Sequence, residues 1–315
     1  MKERPLVSMT VICYRAERFV REAIEGALAQ TYSPLEIIIS DDASTDRTFE
    51  IIQEAVADYR GPHRIILNRN ERNMGIGAHV SKVWFDIAKG DWIVVSAGDD
   101  VSLPHRIERL MELAEPGLGA LHHHVLAIDD NSGEIPHDLS KASLHPIAPG
   151  ETVEDLIKRG FWLKGATMCL NRRMLLRYGR IDEQVFNEDV ILGYRAFHFG
   201  GVKFVPEPLM KYRVHGGSIS HAHHVEETPE TFRKRIVQLA KSRMSVMRQV
   251  RVDDASMGFS DDLHDFMQKT ELHARMDLFL FSEGDFSSAF LWHPAFYVKL
   301  VKKLFFMPYW YLIRR

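Results

Sequence analysis

The chain has 315 residues, 45% of them hydrophobic, enough for one large domain and an appendage. Its net charge of −3 excludes the basic surplus of a nucleic-acid binder. Two cysteines, Cys13 and Cys169, lie in apolar runs and read as buried thiols, which excludes a disulfide framework and fits a reducing cytoplasm.

The opening segment, MKERPLVSMTVICY, lacks the apolar core and small-residue cleavage site of a signal peptide. Leu6–Tyr14 reads as a buried strand. Arg18–Gln30 keeps helical spacing of apolar residues, and Leu35–Ser40 is a second strand. Ser44–Tyr59 is a helix with a Ser or Thr cap, and Arg64–Asn68 is a short third strand. Ala78–Gly90 reads as a helix ending at its glycine. Trp92–Ala97 is a fourth strand, and Pro104–Ala114 a helix that starts at proline.

Leu118–Ile128 is a further strand, and Asp129–Gly150 a loop. Val153–Gly160 is a short helix, Ala166–Asn171 a strand and Val190–Phe199 a helix. Val202–Val214 reads as one or two strands around a proline turn. From about Pro229 the pattern becomes long, helical, Met-rich and charged, with a boundary near His221–Thr228. No apolar run reaches the roughly 20 residues of a spanning helix; Leu304–Ile313 comes nearest and is broken by Pro308.

Repeated strand–helix units imply an α/β fold with a doubly wound, mostly parallel sheet. Ligands of such sheets bind beyond the carboxyl ends of the strands. Two acidic pairs fall at such ends, Asp41–Asp42 and Asp99–Asp100. Each alone reads as a capped or solvated turn. Together they suit a site where a divalent cation bridges carboxylate and phosphate, and where an acid accepts hydrogen bonds from a base or ribose.

The segments VSMTVICYRAERFVREAIEGALAQTY, EIIISDDASTD, NRNERNMGIGAHVSKVW, GDWIVVSAGDDVSLPHRIE and FNEDVILGYRAFHFGGVKFVPEPLMKYRVHGGSIS span roughly Leu6 to Ser220. In order and spacing they resemble the GT-A glycosyltransferases of family 2, the large inverting family. The resemblance implies a Rossmann-like GT-A domain over residues 1–222, with a nucleotide-binding half over 1–115 and an acceptor half over 116–222. A helical C-terminal region would follow over 223–315.

The resemblance also implies site residues. Asp42 would contact the nucleobase, with Asp41 its neighbour. Tyr14 fits the opening motif, although Ile12 and Arg15 stand where the family has Pro and Asn. Asn73 and Gly75 match the N-x-G segment lining the nucleotide pocket, and His79 is the nearest candidate for the basic residue that follows. AGDD matches the D-x-D region: Asp100 would ligate Mn2+ or Mg2+, and Asp99 would face ribose or diphosphate. Ala97 replaces the first acid of the fuller pattern.

Asn187–Asp189 resembles the family's acidic base motif. An acceptor hydroxyl is a weak nucleophile, so a carboxylate must take its proton. Asp189 is the expected base and Glu188 its support; capping of the following helix by Asn187 explains the same residues. Arg213 and His215 match a segment that closes over the diphosphate, Arg213 against leaving-group charge and His215 on phosphate or metal.

The expected activity is inverting transfer of a sugar, from a UDP-sugar or similar donor, to a hydroxyl of a glycan or lipid-linked acceptor. Cell-surface polysaccharide, O-antigen or capsule assembly at the cytoplasmic side is the setting the resemblance implies. Aromatic and basic residues interleave from Trp292 to Arg315 and suit peripheral contact with the inner face of a membrane. The rivals are a sugar nucleotidyltransferase, for which CYRAERF lacks the glycines, and a non-catalytic nucleotide- or sugar-binding module. His122–His124 and His221–His224 invite a zinc reading, but successive strand residues face opposite ways, so three in a row cannot share one ion, and the second cluster lies in the boundary loop; both read as surface histidines.

Overall fold

The computed structural model describes residues 3–136, 150–161, 163–183, 185, 187–215 and 229–281. The His221–His224 cluster and the tail from Trp292 lie outside them. The chain divides into two compact units, Met1–Val225 with Gln249–Phe259, and Glu226–Arg248 with Ser260–Arg315.

The first unit is built on an eight-stranded sheet with the order β3-β2-β1-β4-β7-β6-β8-β5. The strands are β1 (Val7–Cys13), β2 (Leu35–Asp41), β3 (Arg64–Arg69), β4 (Trp92–Ala97), β5 (Val101–Ser102), β6 (Ala120–Ile128), β7 (Cys169–Asn171) and β8 (Val202–Arg213). β1, β2 and β4 are buried along almost their whole length, and apolar residues dominate them, with Ser8, Thr10, Glu36 and Ser40 buried among these. β3 alternates in exposure and closes one edge.

β1 pairs in parallel with β2 and β4, and β2 with β3. β7 then reverses, antiparallel to both β4 and β6, while β6 and β8 are parallel to each other. The reversal matters for the site. The carboxyl ends of β1, β2, β4, β6 and β8 share one edge of the sheet, and the segment entering β7 arrives at that same edge.

The helices are α1 (Val20–Leu28), α2 (Thr48–Val56), α3 (Ile76–Lys82), α4 (Arg106–Leu113), α5 (Val153–Arg159), α6 (Arg172–Tyr178) and α7 (Glu188–Gly200); the first five are shorter than the expected segments, α6 is not among those expected, and α7 extends the expected Val190–Phe199 at both ends. α3 runs into a π-helical turn, Val83–Ile87, and Ala88 is already extended. Gly90 therefore does not terminate the helix. A Cβ there would lie 2.4 Å from the Ser8 amide nitrogen, so Gly90 is a point of close backbone approach.

Val202–Arg213 is one continuous strand, although Pro206 and Pro208 lie inside it. The β6–β8 register shifts around His124, which pairs with Pro208, and that irregularity accommodates the missing amides. The surface reading of the first histidine cluster is corrected: His123 is fully buried and His122 nearly so. His122 and His124 share a face and pack on Phe204 at 4.9 and 4.7 Å between ring centroids, while His123 faces the interior.

The second unit takes the first part of α8 (Pro229–Met257) and all of α9 (Asp261–Phe281). Its buried residues include Ala240, Val246, Leu263, Met267 and Met276. Among the described residues no helix is long and apolar enough to cross a membrane.

Candidate active site

At the ligand edge, the loops after β1 and β2 are tied together. The Arg15 amide donates to Ser44 Oγ at 2.8 Å, and the Ala16 amide to Thr48 Oγ1 at 2.8 Å. Arg15 and Ala43 adopt left-handed backbone, with φ of 50° and 55°. That conformation favours Asn over Arg and accounts for the family's Asn at the Arg15 position. Tyr14 is 44% exposed at the edge, with the Arg15 guanidinium carbon 5.2 Å from its ring centroid.

Asp41 is the last residue of β2 and fully buried. Its Oδ1 accepts from Ser44 Oγ, its Oδ2 from the Ser44 amide at 3.0 Å, and Arg69 Nε lies 3.6 Å away. Asp42 accepts from Asn70 Nδ2 at 2.7 Å and from the Met74 and Gly75 amides at 2.9 and 3.0 Å. The Gly75 amide also donates to Asn73 Oδ1 at 3.0 Å, and Gly75 has φ 77°, open to glycine at no steric cost. Asp42 thus organises the Asn73–Gly75 loop. His79 is buried with Nε2 2.6 Å from Ser40 Oγ, and burial holds its pKa below the usual imidazole value.

Gly98, Asp99 and Asp100 turn the chain from β4 into β5. Asp100 is buried and its Oδ1 accepts from the Arg213 amide at 2.9 Å. No cation forms an ion pair with Asp100 among the described residues. Burial, and then the neighbouring Asp99 charge, push its carboxyl well above the usual range. Asp99 Oδ2 lies 3.1 Å from His215 Nε2. The His215 ring packs on Phe19 at 4.7 Å.

Arg213 is a brace for this turn. Its guanidinium, with no exposed side-chain surface, donates to the Asp99 and Asp129 carbonyls at 2.9 Å each, to Ser132 Oγ at 3.0 Å and to Glu22 Oε2 at 3.0 Å. Among the described residues no group of three or more His, Cys, Asp and Glu side chains is arranged to enclose a metal ion. A buried carboxylate without a counter-cation, next to a second one, still suits a hard divalent cation, which takes one or two carboxylates and completes its shell with substrate phosphates and water.

Glu188 and Asp189 open α7, and both are half-buried. Asn187 makes no side-chain capping bond; Asp189 Oδ1 instead accepts from the Val190 amide at 2.9 Å. Burial pushes Asp189 up to about 6 and Glu188 up to about 8, the latter helped by the Asp189 charge. Gly165, in the 3-10 turn Gly165–Thr167 just before β7, lies against them: a Cβ on it would be 3.5 Å from Glu188 Oε1. The reversed β7 therefore brings Glu188 and Asp189 to the edge that carries Asp99 and Asp100.

One further residue at this edge, Lys164, has no signal in the sequence, where it is a single lysine before a glycine in a loop. It is 6% exposed, its Nζ stands 4.0 Å above the Tyr212 ring, and the charges of Asp100 and Asp189 both reach it. Arg106 is equally hidden in the sequence. Fully buried, it donates to Ser102 Oγ at 2.9 Å and to the Val95 and Ala166 carbonyls at 2.8 and 2.7 Å.

Acidic turns at the carboxyl edge of an α/β sheet, with carboxyls of raised pKa beside them, stand where sheets of this kind bind their ligands. The family model for glycosyl transferase family 2 matches residues 8–179, and the chain belongs to that family. It is 34% identical over 222 residues to a glycosyltransferase of Methanocaldococcus jannaschii, covering 67% of this chain and 72% of that one. It is 37% identical over 115 residues to the putative glycosyltransferase EpsE of Bacillus subtilis, a match over 36% of this chain that spans only 40% of EpsE.

Two solved structures share the fold. The mannosyltransferase PcManGT from Pyrobaculum calidifontis, in complex with GDP-Man and Mn2+, superposes with a TM-score of 0.56 at 16% identity, covering 95% of this chain and 81% of that one. TarS of S. aureus, residues 1–349 in complex with UDP-GlcNAc, gives 0.54 at 16% identity over 86% and 80%. The fold is GT-A, with a C-terminal helical extension.

Proposed function

We propose that the protein is a metal-dependent inverting glycosyltransferase that moves a sugar from a nucleoside-diphosphate donor, a UDP-sugar, to a hydroxyl of a glycan or lipid-linked acceptor. The observation that carries this reading is the pairing of two acidic elements at one sheet edge. A buried carboxylate lacking a counter-cation, Asp100, stands at the end of β4, and a carboxylate poised near neutral pH, Asp189, opens α7. The ligands of the two solved structures, GDP-Man with Mn2+ in PcManGT and UDP-GlcNAc in TarS, support the same substrate class.

In this reading Asp100 and Asp99, with His215 beside Asp99, would hold Mn2+ or Mg2+, which when bound supplies positive charge for the departing diphosphate. Tyr14 offers a ring face to the base, and the loop organised by Asp42 lines the nucleoside pocket at Asn73 and Gly75. Asp41 keeps the β2 turn rigid through Ser44. Arg213 holds the acidic turn in shape from beneath. Asp189 takes the acceptor's proton as its oxygen attacks the anomeric carbon, and Glu188, protonated at neutral pH, keeps a second negative charge away from the base.

Residues 1–222 would carry catalysis and 223–315 would contact the acceptor or a membrane surface at the cytoplasmic side, in assembly of a cell-surface polysaccharide. Incubation with a panel of UDP- and GDP-sugars, with and without Mn2+, tests the reading. Metal-dependent donor turnover is expected. Absence of turnover with every donor, even with a native acceptor preparation present, points instead to a non-catalytic sugar-nucleotide-binding module.

A further inference from the structure

Three buried cations face the acidic turn: Arg106, Arg213 and Lys164. The first two are committed to the protein. Arg213 donates from all three of its nitrogens, and both terminal nitrogens of Arg106 are bound. Lys164 differs. Its ammonium has three donors, yet it makes no hydrogen bond and no ion pair among the described residues; only the Tyr212 ring, at 4.0 Å, faces it.

The side chain is buried, and one cation–π contact is all that meets its ammonium among the described residues. The loop beneath it is fixed. The Lys164 carbonyl accepts from the Thr167 amide and hydroxyl at 2.9 and 2.8 Å, and Arg106 clamps the Ala166 carbonyl at 2.7 Å. The donors are therefore held ready, between the acid at the end of β4 and the acid that opens α7, close enough to feel both charges and too far to pair with either.

We propose that Lys164 is a further catalytic residue, whose ammonium receives a phosphate oxygen of the donor's diphosphate as the sugar leaves. This rests on the glycosyltransferase reading above. In the transfer, the bond between the anomeric carbon and the β-phosphate oxygen breaks, and its electron pair stays on that oxygen. The acceptor oxygen bonds to the same carbon, and its proton passes to Asp189. Lys164 remains protonated throughout and donates hydrogen bonds to the departing oxyanion. Arg213 and the two terminal nitrogens of Arg106 cannot take this part without giving up the bonds that hold the loops, and Arg106 Nε, which has no partner, is sealed from the site by burial.

The test is equilibrium binding of UDP, GDP and the nucleosides uridine and guanosine, in Mn2+, to wild type, Lys164→Met and Lys164→Arg. Lys164→Met is expected to weaken the preferred nucleoside diphosphate about tenfold to a hundredfold, the range for a hydrogen bond to a charged group, and to leave the nucleoside unchanged. Lys164→Arg recovers part of the loss. Because methionine fills the same space and removes a buried charge, the melting temperature of Lys164→Met should equal or exceed that of wild type. Lys164→Gln provides the same comparison if the methionine variant aggregates.

Equal diphosphate affinity in wild type and variant overturns the inference and leaves the glycosyltransferase reading standing. An equal loss for nucleoside and diphosphate also overturns it, because it marks a merely structural lysine. Wild type that binds no nucleoside diphosphate removes both.

Discussion

Arg195 of α7 and Asp253 of α8 form a buried two-point ion pair, with Nε and Nη2 each 2.8 Å from a carboxylate oxygen. Arg195 also donates to the Gly179 carbonyl at 2.9 Å. Gln249 donates to Asp253 at 3.1 Å and accepts from the Asp182 amide at 2.7 Å. The segment of α8 that belongs to the first unit is thus bonded to the helix that begins with Glu188 and Asp189, and to the loop leading into it. Asp253→Ala leaves a buried guanidinium unpaired and should cost about 3–5 kcal/mol. The double variant Arg195→Met/Asp253→Leu should cost much less, and urea unfolding distinguishes the two.

Asp189→Asn keeps the shape of the side chain and removes its capacity to accept a proton. The turnover number should fall about 10²–10⁴-fold with donor affinity unchanged. Acceptor-dependent transfer assays, paired with donor titration, check this. A variant that retains full turnover would remove Asp189 from the base role.

The ionisation of the base pair sets a pH dependence. Asp189 acts as base only when deprotonated, so the rate should fall on the acid side of about 6. Stability has the opposite slope. Both carboxyls bind protons more tightly folded than unfolded, at about 6 and about 8. Their stabilising contribution is full below their unfolded values and is lost as pH rises through those folded values. Through this pair, the protein should therefore melt at lower temperature at about pH 8.5 than at about pH 5, and Glu188→Gln should reduce that difference. Melting curves across pH measure it.

Asp100→Asn removes the buried charge at the end of β4. Mn2+ binding in the presence of nucleotide, followed by the paramagnetic resonance of the free ion, should be lost. Without metal the variant should be at least as stable as wild type, since burial disfavours the charged form of this carboxyl.

Gly90→Ala places a methyl group against the Ser8 backbone, which cannot yield as a flexible side chain can. A loss of about 1–3 kcal/mol is expected, read from the denaturation midpoint.

The first half of the fold was legible because burial writes itself into composition. The strands from Val7, Leu35 and Trp92 are rich in apolar residues and buried on both faces, and each is followed by an amphipathic helix. The helix ends were less legible. The apolar spacing continues to Gly90, yet the chain passes through a π turn and leaves the helix after Ile87, because Gly90 is needed beside Ser8. The prolines of Val202–Arg213 suggested a turn, and only the register shift opposite them shows how one strand contains both. His122 and His123 were expected at the surface once a shared metal ion was set aside, whereas the position of β6 between β7 and β8 buries them.

What the sequence determined by itself is the inventory of the edge: strands that surface in Asp41–Asp42 and Asp99–Asp100, a loop at Asn73–Gly75, and an acidic helix start at Asp189, in an order that identifies the family. Local residue preferences and burial patterns act over a few positions, and such features can be read along the chain. Only the tertiary structure decided which of these residues meet. The reversal of β7 carries Lys164 and Gly165 to the acidic edge, the parallel β8 sets Arg213 beneath Asp100, and α7 starts against Gly165. Those meetings depend on strand direction and on contacts between residues up to 191 positions apart, as between Glu22 and Arg213, which no local pattern encodes.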